Sequence, residues 1–174
     1  MSLAIGSWFY RSAVPKRVWL AGAMCSVIPD LDAIGFWAGV PSGSFWGHRG
    51  FTHSVAFAAL LALAVAAALR SQYATRLPAL QLILFLFLAT ASHGLLDAFT
   101  NGGRGIALLA PFDNSRYFFP FRPIAVAPIS VTRFFTARGM SVFASELLWV
   151  WLPSAAVLAA AVAIRRRAFA TAAG

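Results

Sequence analysis

Long apolar runs alternate with short polar stretches along this chain of 174 residues. Four apolar runs approach or exceed the roughly 20 residues that a helix needs to cross a hydrocarbon core of about 30 Å. These runs cover residues 18–40, 51–69, 77–99 and 147–164. The pattern predicts an all-α, multi-pass membrane protein with about four transmembrane helices. We interpret residues 1–174 as a single integral membrane domain.

The segment between the third and fourth runs, residues 100–145, has a different composition, rich in Gly, Pro, Phe and Arg. Its stretch at 117–123 is too broken by proline to span a membrane, yet too aromatic to remain free in water. We therefore expect an aromatic and arginine-rich cap loop that lies on the membrane surface.

Composition supports the membrane assignment and excludes other classes. The chain is 60% hydrophobic and carries a net charge of +9. Its basic residues flank the apolar segments instead of forming one stripe, which favours membrane anchoring and argues against a nucleic-acid partner. The single cysteine, Cys25, excludes a disulfide framework and a thiol-rich metal site. The oligomeric state is left open by the sequence.

The distribution of basic residues predicts the orientation. With four spans, both termini and the turn at 70–76 share one side of the membrane. Loops rich in Lys and Arg stay in the cytoplasm, so we expect cytoplasmic termini. The basic residues on that side are Arg11, Lys16, Arg17, Arg70, Arg76, Arg165, Arg166 and Arg167.

Ionisable residues are concentrated in four polar islands, defined as residues 29–32, 47–54, 92–97 and 111–114. All three histidines and four of the five acidic residues lie in these islands, and only Glu146 lies outside them. Unpaired charge in hydrocarbon costs several kcal/mol, so such residues mark functional positions by default. The first three islands are the strongest candidates for a functional site. The fourth island, which contains Asp113, has a composition typical of a turn.

Three islands reach the same depth in the membrane. At about 1.5 Å per residue, the acids of the first run lie roughly 20 Å from its cytoplasmic end, and the histidine of the third run about 24 Å from its own. The second run begins on that same far side with two histidines. A shared pocket near the outer leaflet is therefore expected, formed by Asp30, Asp32, His48, His53, His93 and Asp97.

The chemistry of these six residues suits a divalent metal. His93 and Asp97 are spaced i, i+4, so both side chains leave one helix face. Three imidazoles and three carboxylates fit zinc well, and manganese or another divalent ion is an alternative. Six groups exceed one tetrahedral shell. Either two ions bind, or one ion binds and some of the acids, Asp30 and Asp32, hold a ligand histidine or act as general base.

The order of three motifs resembles a known family. These are Asp30-Leu31-Asp32 after a proline, His48-Arg49-Gly50-Phe51-Thr52-His53-Ser54 at the start of a span, and His93-Gly94-Leu95-Leu96-Asp97. Over residues 20–125 the chain resembles the LexA-regulated, inner-membrane-associated metal-dependent hydrolases of bacteria. This resemblance implies a multi-pass protein of the inner (plasma) membrane with a hydrolase site. The His-x3-Asp element is also similar to one in zinc-dependent phospholipase C enzymes, which implies a phosphoester substrate.

Our leading hypothesis is a metal-dependent hydrolase that acts on a lipid or lipid-linked substrate at the outer leaflet through a metal-activated water. Arg49 would hold the negative charge that develops during the reaction. One alternative is a divalent-metal transporter or channel, and another is a scaffold in which the metal only joins helices. A conduit needs polar residues throughout its depth, but residues 55–69 are entirely apolar. The hydrolase hypothesis is therefore preferred.

Overall fold

The computed structural model of the chain describes residues 1–9, 14–72, 77–128 and 130–172. Arg11 and Arg76, two of the basic residues used to predict the orientation, lie outside this part. Its regular elements are all helical, and the cap region adds two isolated β-bridges. The α-helices are α1 (Ser2–Phe9), α2 (Lys16–Cys25), α3 (Val55–Gln72), α4 (Ala79–Ala98), α5 (Val131–Phe134), α6 (Ala137–Glu146) and α7 (Leu152–Ala172).

Three helical stretches in the described residues are long and apolar enough to cross a membrane: Lys16–Phe36, Ala79–Ala98 and Ala137–Arg167. The helix α3 is apolar as well but shorter, with 18 residues. The prediction of an all-α membrane fold is confirmed. The four predicted runs correspond to three full-length stretches and this shorter helix.

The apolar pattern predicted one span over residues 18–40. In the structure this span is not one continuous α-helix. The helix α2 ends at Cys25, and the chain continues as a 3-10 helix over Ile28–Phe36. Pro29 lacks the N–H that an α-helical hydrogen bond requires, and its ring clashes with the preceding turn. The Asp30 N–H donates instead to the Val27 carbonyl at 3.0 Å. This change of helix type turns the first polar island inward, toward α4.

The cap region is shorter than the predicted 100–145 at its C-terminal end. The helix α6 begins at Ala137, where the Thr136 hydroxyl accepts a hydrogen bond from the Arg138 N–H at 3.3 Å. A π-helical turn, Leu147–Trp151, joins α6 to α7. Hydroxyl capping and the absence of proline between Pro128 and Pro153 let the last helix start ten residues before the apolar run at 147.

A tightly packed apolar core joins α2, α3 and α4 at the end of these helices away from the polar islands. Phe85 is fully buried and sits against Gly22, where an added Cβ would lie 2.3 Å from the ring. Only glycine allows α4 to bring this ring so close to α2. The buried core residues are Val18, Cys25, Ala62, Ala66, Leu69, Leu82, Phe85 and Leu86.

Candidate metal centre

Three separate segments bring four donor side chains to one point at the polar end of the helices. Asp30 comes from the 3-10 helix after α2, and His53 from the 3-10 turn Phe51–His53 that precedes α3. His93 and Asp97 leave one face of α4. The potential ligand atoms of these four residues all lie within 4.8 Å of one another. These four residues could hold a metal ion, and we call the group the metal centre.

Distances within the metal centre are short enough for ion pairs, but several of these contacts lack hydrogen-bond geometry. His93 Nε2 lies 3.1 Å from Asp30 Oδ1, and His53 Nε2 lies 3.3 Å from Asp97 Oδ2. Among the described residues, His53 Nε2, His93 Nε2 and Asp97 Oδ2 are buried without a hydrogen-bond partner. A buried polar atom left unpaired costs about 1–3 kcal/mol. Two imidazole nitrogens and two carboxylate oxygens facing one point fit a tetrahedral divalent cation such as zinc.

Asp32 lies behind His53 and is used differently from Asp30. Its carboxylate is almost fully buried and lies 3.2 Å from His53 Nδ1 and 2.6 Å from His48 Nδ1. It also accepts hydrogen bonds from the Thr52 hydroxyl and, at 3.1 Å, from the Arg49 N–H. A carboxylate bound to one ring nitrogen fixes the direction in which the other points. Asp32, together with the Thr52 hydroxyl 3.1 Å from His53 Nδ1, therefore orients His53 Nε2 toward the metal centre.

The six predicted ligands thus form two groups that share His53. Asp30, His53, His93 and Asp97 make the first, and Asp32, His48 and His53 make the second. His53 takes part in both because its two nitrogens face opposite sides. Sequence spacing could not separate the groups, since the division depends on the ring direction of one histidine.

Arg49 is bound to protein groups and does not extend freely into solvent. Its Nε lies 3.0 Å from Asp97 Oδ2, in an ion pair without hydrogen-bond geometry. Its Nη1 donates to Thr100 Oγ1 at 2.9 Å and to the Gly102 carbonyl at 3.0 Å. The backbone of Arg49 has a φ of 65°, an uncommon left-handed conformation for a residue with a side chain. Arg49 therefore joins the metal centre to the cap loop.

A cleft of about 760 Å³ opens beside the metal centre and exposes part of it. Asp30, His93 and Asp97 line it, and the Asp30 side chain is half exposed. The apolar part of its lining includes residues 124–128 and Val150. Substrate-sized molecules can therefore reach the centre from one side.

Arg104 and Glu146 also line the cleft, and Glu146 was not placed there by sequence reasoning. Glu146 ends α6, directly before the π-helical turn, and single π turns are frequent at functional sites. It lies 49 positions beyond Asp97, so no local motif connects them. A lone acid at the start of a long apolar helix was the available signal.

Asp113, in the fourth polar island, does not line the cleft. Its carboxylate accepts hydrogen bonds from the Ser115 N–H at 2.8 Å and from the Tyr117 hydroxyl at 2.5 Å. These bonds hold the pKa of Asp113 below its ordinary value, and the carboxylate raises the pKa of Tyr117. The arrangement is that of a turn on the cap surface.

Comparison with known proteins identifies the family. Residues 1–169 match the YdjM inner membrane protein family. The chain is also 40% identical over 151 residues to the inner membrane protein YbcI of Escherichia coli strain K12. The aligned region covers 87% of this chain and 86% of that protein. No solved structure matches. The chain belongs to the YdjM inner membrane protein family, which confirms the predicted inner-membrane location. LexA regulation, hydrolase activity and orientation stay predictions.

Proposed function

We propose that this inner membrane protein is a metal-dependent hydrolase of a lipid or lipid-linked phosphoester at the outer leaflet. The observation that supports it most strongly is the set of three buried donor atoms on His53, His93 and Asp97 that lack a hydrogen-bond partner among the described residues and lie within a few ångströms of Asp30. Apolar side chains of similar volume would avoid the penalty of unpaired polar atoms. A bound cation explains why these donors point at one another.

Asp30, His53, His93 and Asp97 would hold the ion in this proposal. A divalent cation lowers the pKa of a water that it binds and polarises an ester beside it. Asp30 is the exposed member of the set, so the open side of the centre faces the cleft. Catalytic zinc sites keep such an open position, whereas structural sites are closed.

Protein groups around the centre would act on its ligands and on the substrate. Asp32 holds His53 through Nδ1, and Arg49 offsets the charge of Asp97. Because its guanidinium is already bound to protein, Arg49 is better suited to positioning Asp97 than to binding a substrate. Glu146 is half buried in the cleft wall, with no hydrogen bond or ion pair to another described residue. Its carboxylate is free to transfer a proton to or from the substrate.

The placement of the centre supports hydrolysis over transport. All donors lie at one end of α2, α3 and α4, and the other end is closed by the fully buried side chains of Val18, Leu82 and Phe85. An ion crossing the membrane would need polar groups along its whole path. The half-exposed Asp30 and the adjoining cleft argue in the same way against a closed metal site that only joins helices.

The test combines metal content with turnover. The purified full chain, reconstituted in phosphatidylethanolamine and phosphatidylglycerol vesicles, should contain stoichiometric zinc or manganese and release phosphorylated products detectable by phosphorus NMR. His93→Ala should lose both properties. Ser92→Ala is the matched control, because that hydroxyl donates only to the Ala89 carbonyl of its own helix among the described residues. A parent without bound metal, or an active His93→Ala variant, would refute the proposal.

A further inference from the structure

The five arginines of the predicted cap region, residues 100–145, differ in what holds them. Arg116 donates to the His48 and Ser44 carbonyls, and Arg138 donates to the Val126 carbonyl. The Arg122 guanidinium lies 4.8 Å from the centre of the Phe118 ring. Arg133 belongs to α5 and does not line the cleft. Arg104 does line it, and no hydrogen bond or ion pair joins its guanidinium to another described residue.

The backbone around Arg104 is fixed relative to the metal centre. On one side, Arg49 Nη1 donates to the Gly102 carbonyl at 3.0 Å, and on the other, the Ala107 N–H donates to the Arg49 carbonyl at 3.0 Å. Gly103 and Gly105 adopt φ angles of 87° and 75°, which only glycine tolerates readily. Arg49 itself contacts Asp97. The short loop that carries Arg104 is thus anchored to the centre from both ends.

The Arg104 guanidinium lines the cleft without an ion-pair partner among the described residues. Its Nη1 lies so close to the Gly43 backbone that a Cβ added there would be 2.8 Å away. The charge of Arg116 adds to the positive potential at this edge. Asp97 is the acid of the metal centre that lies closest to Arg104 in the sequence, and it forms an ion pair with Arg49. An anionic group entering the cleft would therefore meet a free guanidinium.

We propose that Arg104 and the cleft edge form a phosphate-binding subsite for the headgroup of an anionic lipid. A guanidinium binds phosphate with two parallel hydrogen bonds, which gives both affinity and direction. The apolar wall at residues 124–128 and Val150 lines the same cleft and suits the hydrocarbon part of an amphiphile. The identification of this phosphate as part of the substrate rests on the proposed function, whereas the binding itself does not require turnover.

The test measures binding to the full chain in a neutral, phosphate-free detergent by calorimetry. The probes are dihexanoyl phosphatidic acid and inorganic phosphate. Arg104→Gln should weaken binding of both probes about tenfold, because it removes the charge from the hydrogen-bonded contact. Arg122→Gln is the matched control, since it removes the same charge from the same loop outside the cleft, and should change the dissociation constant less than about twofold.

The two probes distinguish a lipid headgroup from free phosphate. The parent should bind phosphatidic acid more tightly than inorganic phosphate if the apolar wall contributes, and equal affinities would overturn the lipid assignment. Unchanged binding in Arg104→Gln, or an equal loss in Arg122→Gln, would overturn the subsite. Binding that depends on Arg104 in a chain that holds no metal would keep the subsite and remove the hydrolase. If the chain holds stoichiometric metal but binds the probes independently of Arg104, the subsite is overturned and the hydrolase proposal stands.

Discussion

The helices α2, α3 and α4 have two ends with opposite properties. At the apolar end, Phe85 and Leu82 are fully buried, and the Trp19 and Phe85 rings meet edge to face with centroids 5.9 Å apart. At the polar end, His53 and Asp97 contribute buried atoms that lack hydrogen-bond partners among the described residues. Close packing stabilises the apolar end, whereas buried atoms without hydrogen-bond partners destabilise the polar end.

This difference shows which end the fold needs and which end serves another purpose. Dispersion contacts and small residues are sufficient to associate helices in a membrane. Buried polar atoms without partners destabilise a protein, so packing alone does not account for them. The polar end is therefore the place where a ligand is expected, and substitutions at the two ends should have separable effects on metal content and on stability.

The largest expected effect is the loss of bound metal in His53→Ala. His53 is the residue common to both groups, with Nε2 in the metal centre and Nδ1 beside Asp32. Removing it deletes a ligand and leaves Asp32 without one of its partners, so stoichiometric metal should disappear. The measurement is zinc per chain by mass spectrometry after purification from the membrane fraction. Retention of one ion per chain would show that the ion does not bind at these four residues.

Phe85→Ala should produce the opposite pattern. Truncating a fully buried aromatic residue lowers the free energy of unfolding by about 3–5 kcal/mol, because the cavity left behind is only partly filled. The metal content of the folded protein should stay at the parent level. Thermal unfolding in detergent measures the loss of stability, and zinc analysis at low temperature measures the metal content of the folded protein. If metal is lost while the protein is still folded, the two ends are coupled and the comparison is wrong.

Asp32→Asn should have an intermediate effect on metal affinity alone. Carboxylates that orient a ligand histidine typically contribute 10- to 100-fold to metal binding. The amide keeps the size of the side chain but removes the charge next to His53 Nδ1 and His48 Nδ1. Competition with a zinc chelator measures the change. A loss as complete as that in His53→Ala would mean that Asp32 is itself a ligand.

Much of the fold was predictable because membrane burial leaves a plain signal. Runs of apolar residues located the spans, and the depth of the polar islands indicated that Asp30, His53 and His93 would approach one another. The 3-10 continuation after Cys25 was less accessible, although Pro29 marked the place. Local hydrogen bonding, which decides between α and 3-10 geometry after a proline, is not encoded in hydropathy.

The roles of individual site residues were harder to predict. Asp30 and Asp32 are equivalent in sequence, yet one lies half exposed in the cleft and the other is buried behind His53. Arg104 and Glu146 line the same cleft from the cap loop and from the end of α6, and long-range contacts decide this arrangement. Such contacts depend on the path of an irregular loop, for which neither periodicity nor spacing carries information.

The smallest effect is expected for Asp113→Asn, which tests whether every acid of the polar islands belongs to the site. Asp113 accepts hydrogen bonds from Tyr117 and Ser115 and lies on the cap outside the cleft. Metal content and phosphatidic acid binding should equal those of the parent. Tyr117 should ionise at a lower pH in the variant, because the carboxylate that raises its pKa is gone.

The pH dependence of this pair has a defined sign. A carboxyl whose pKa is lowered in the folded state contributes stability above its unfolded pKa and loses that contribution as the pH falls through the folded value. Asp113→Asn should therefore remove an acid-sensitive contribution confined to the turn, visible as a local change in hydrogen exchange at Ser115 and Tyr117. Reduced metal content in this variant would instead place the fourth polar island in the site and erase the contrast between an exposed turn acid and the buried donors.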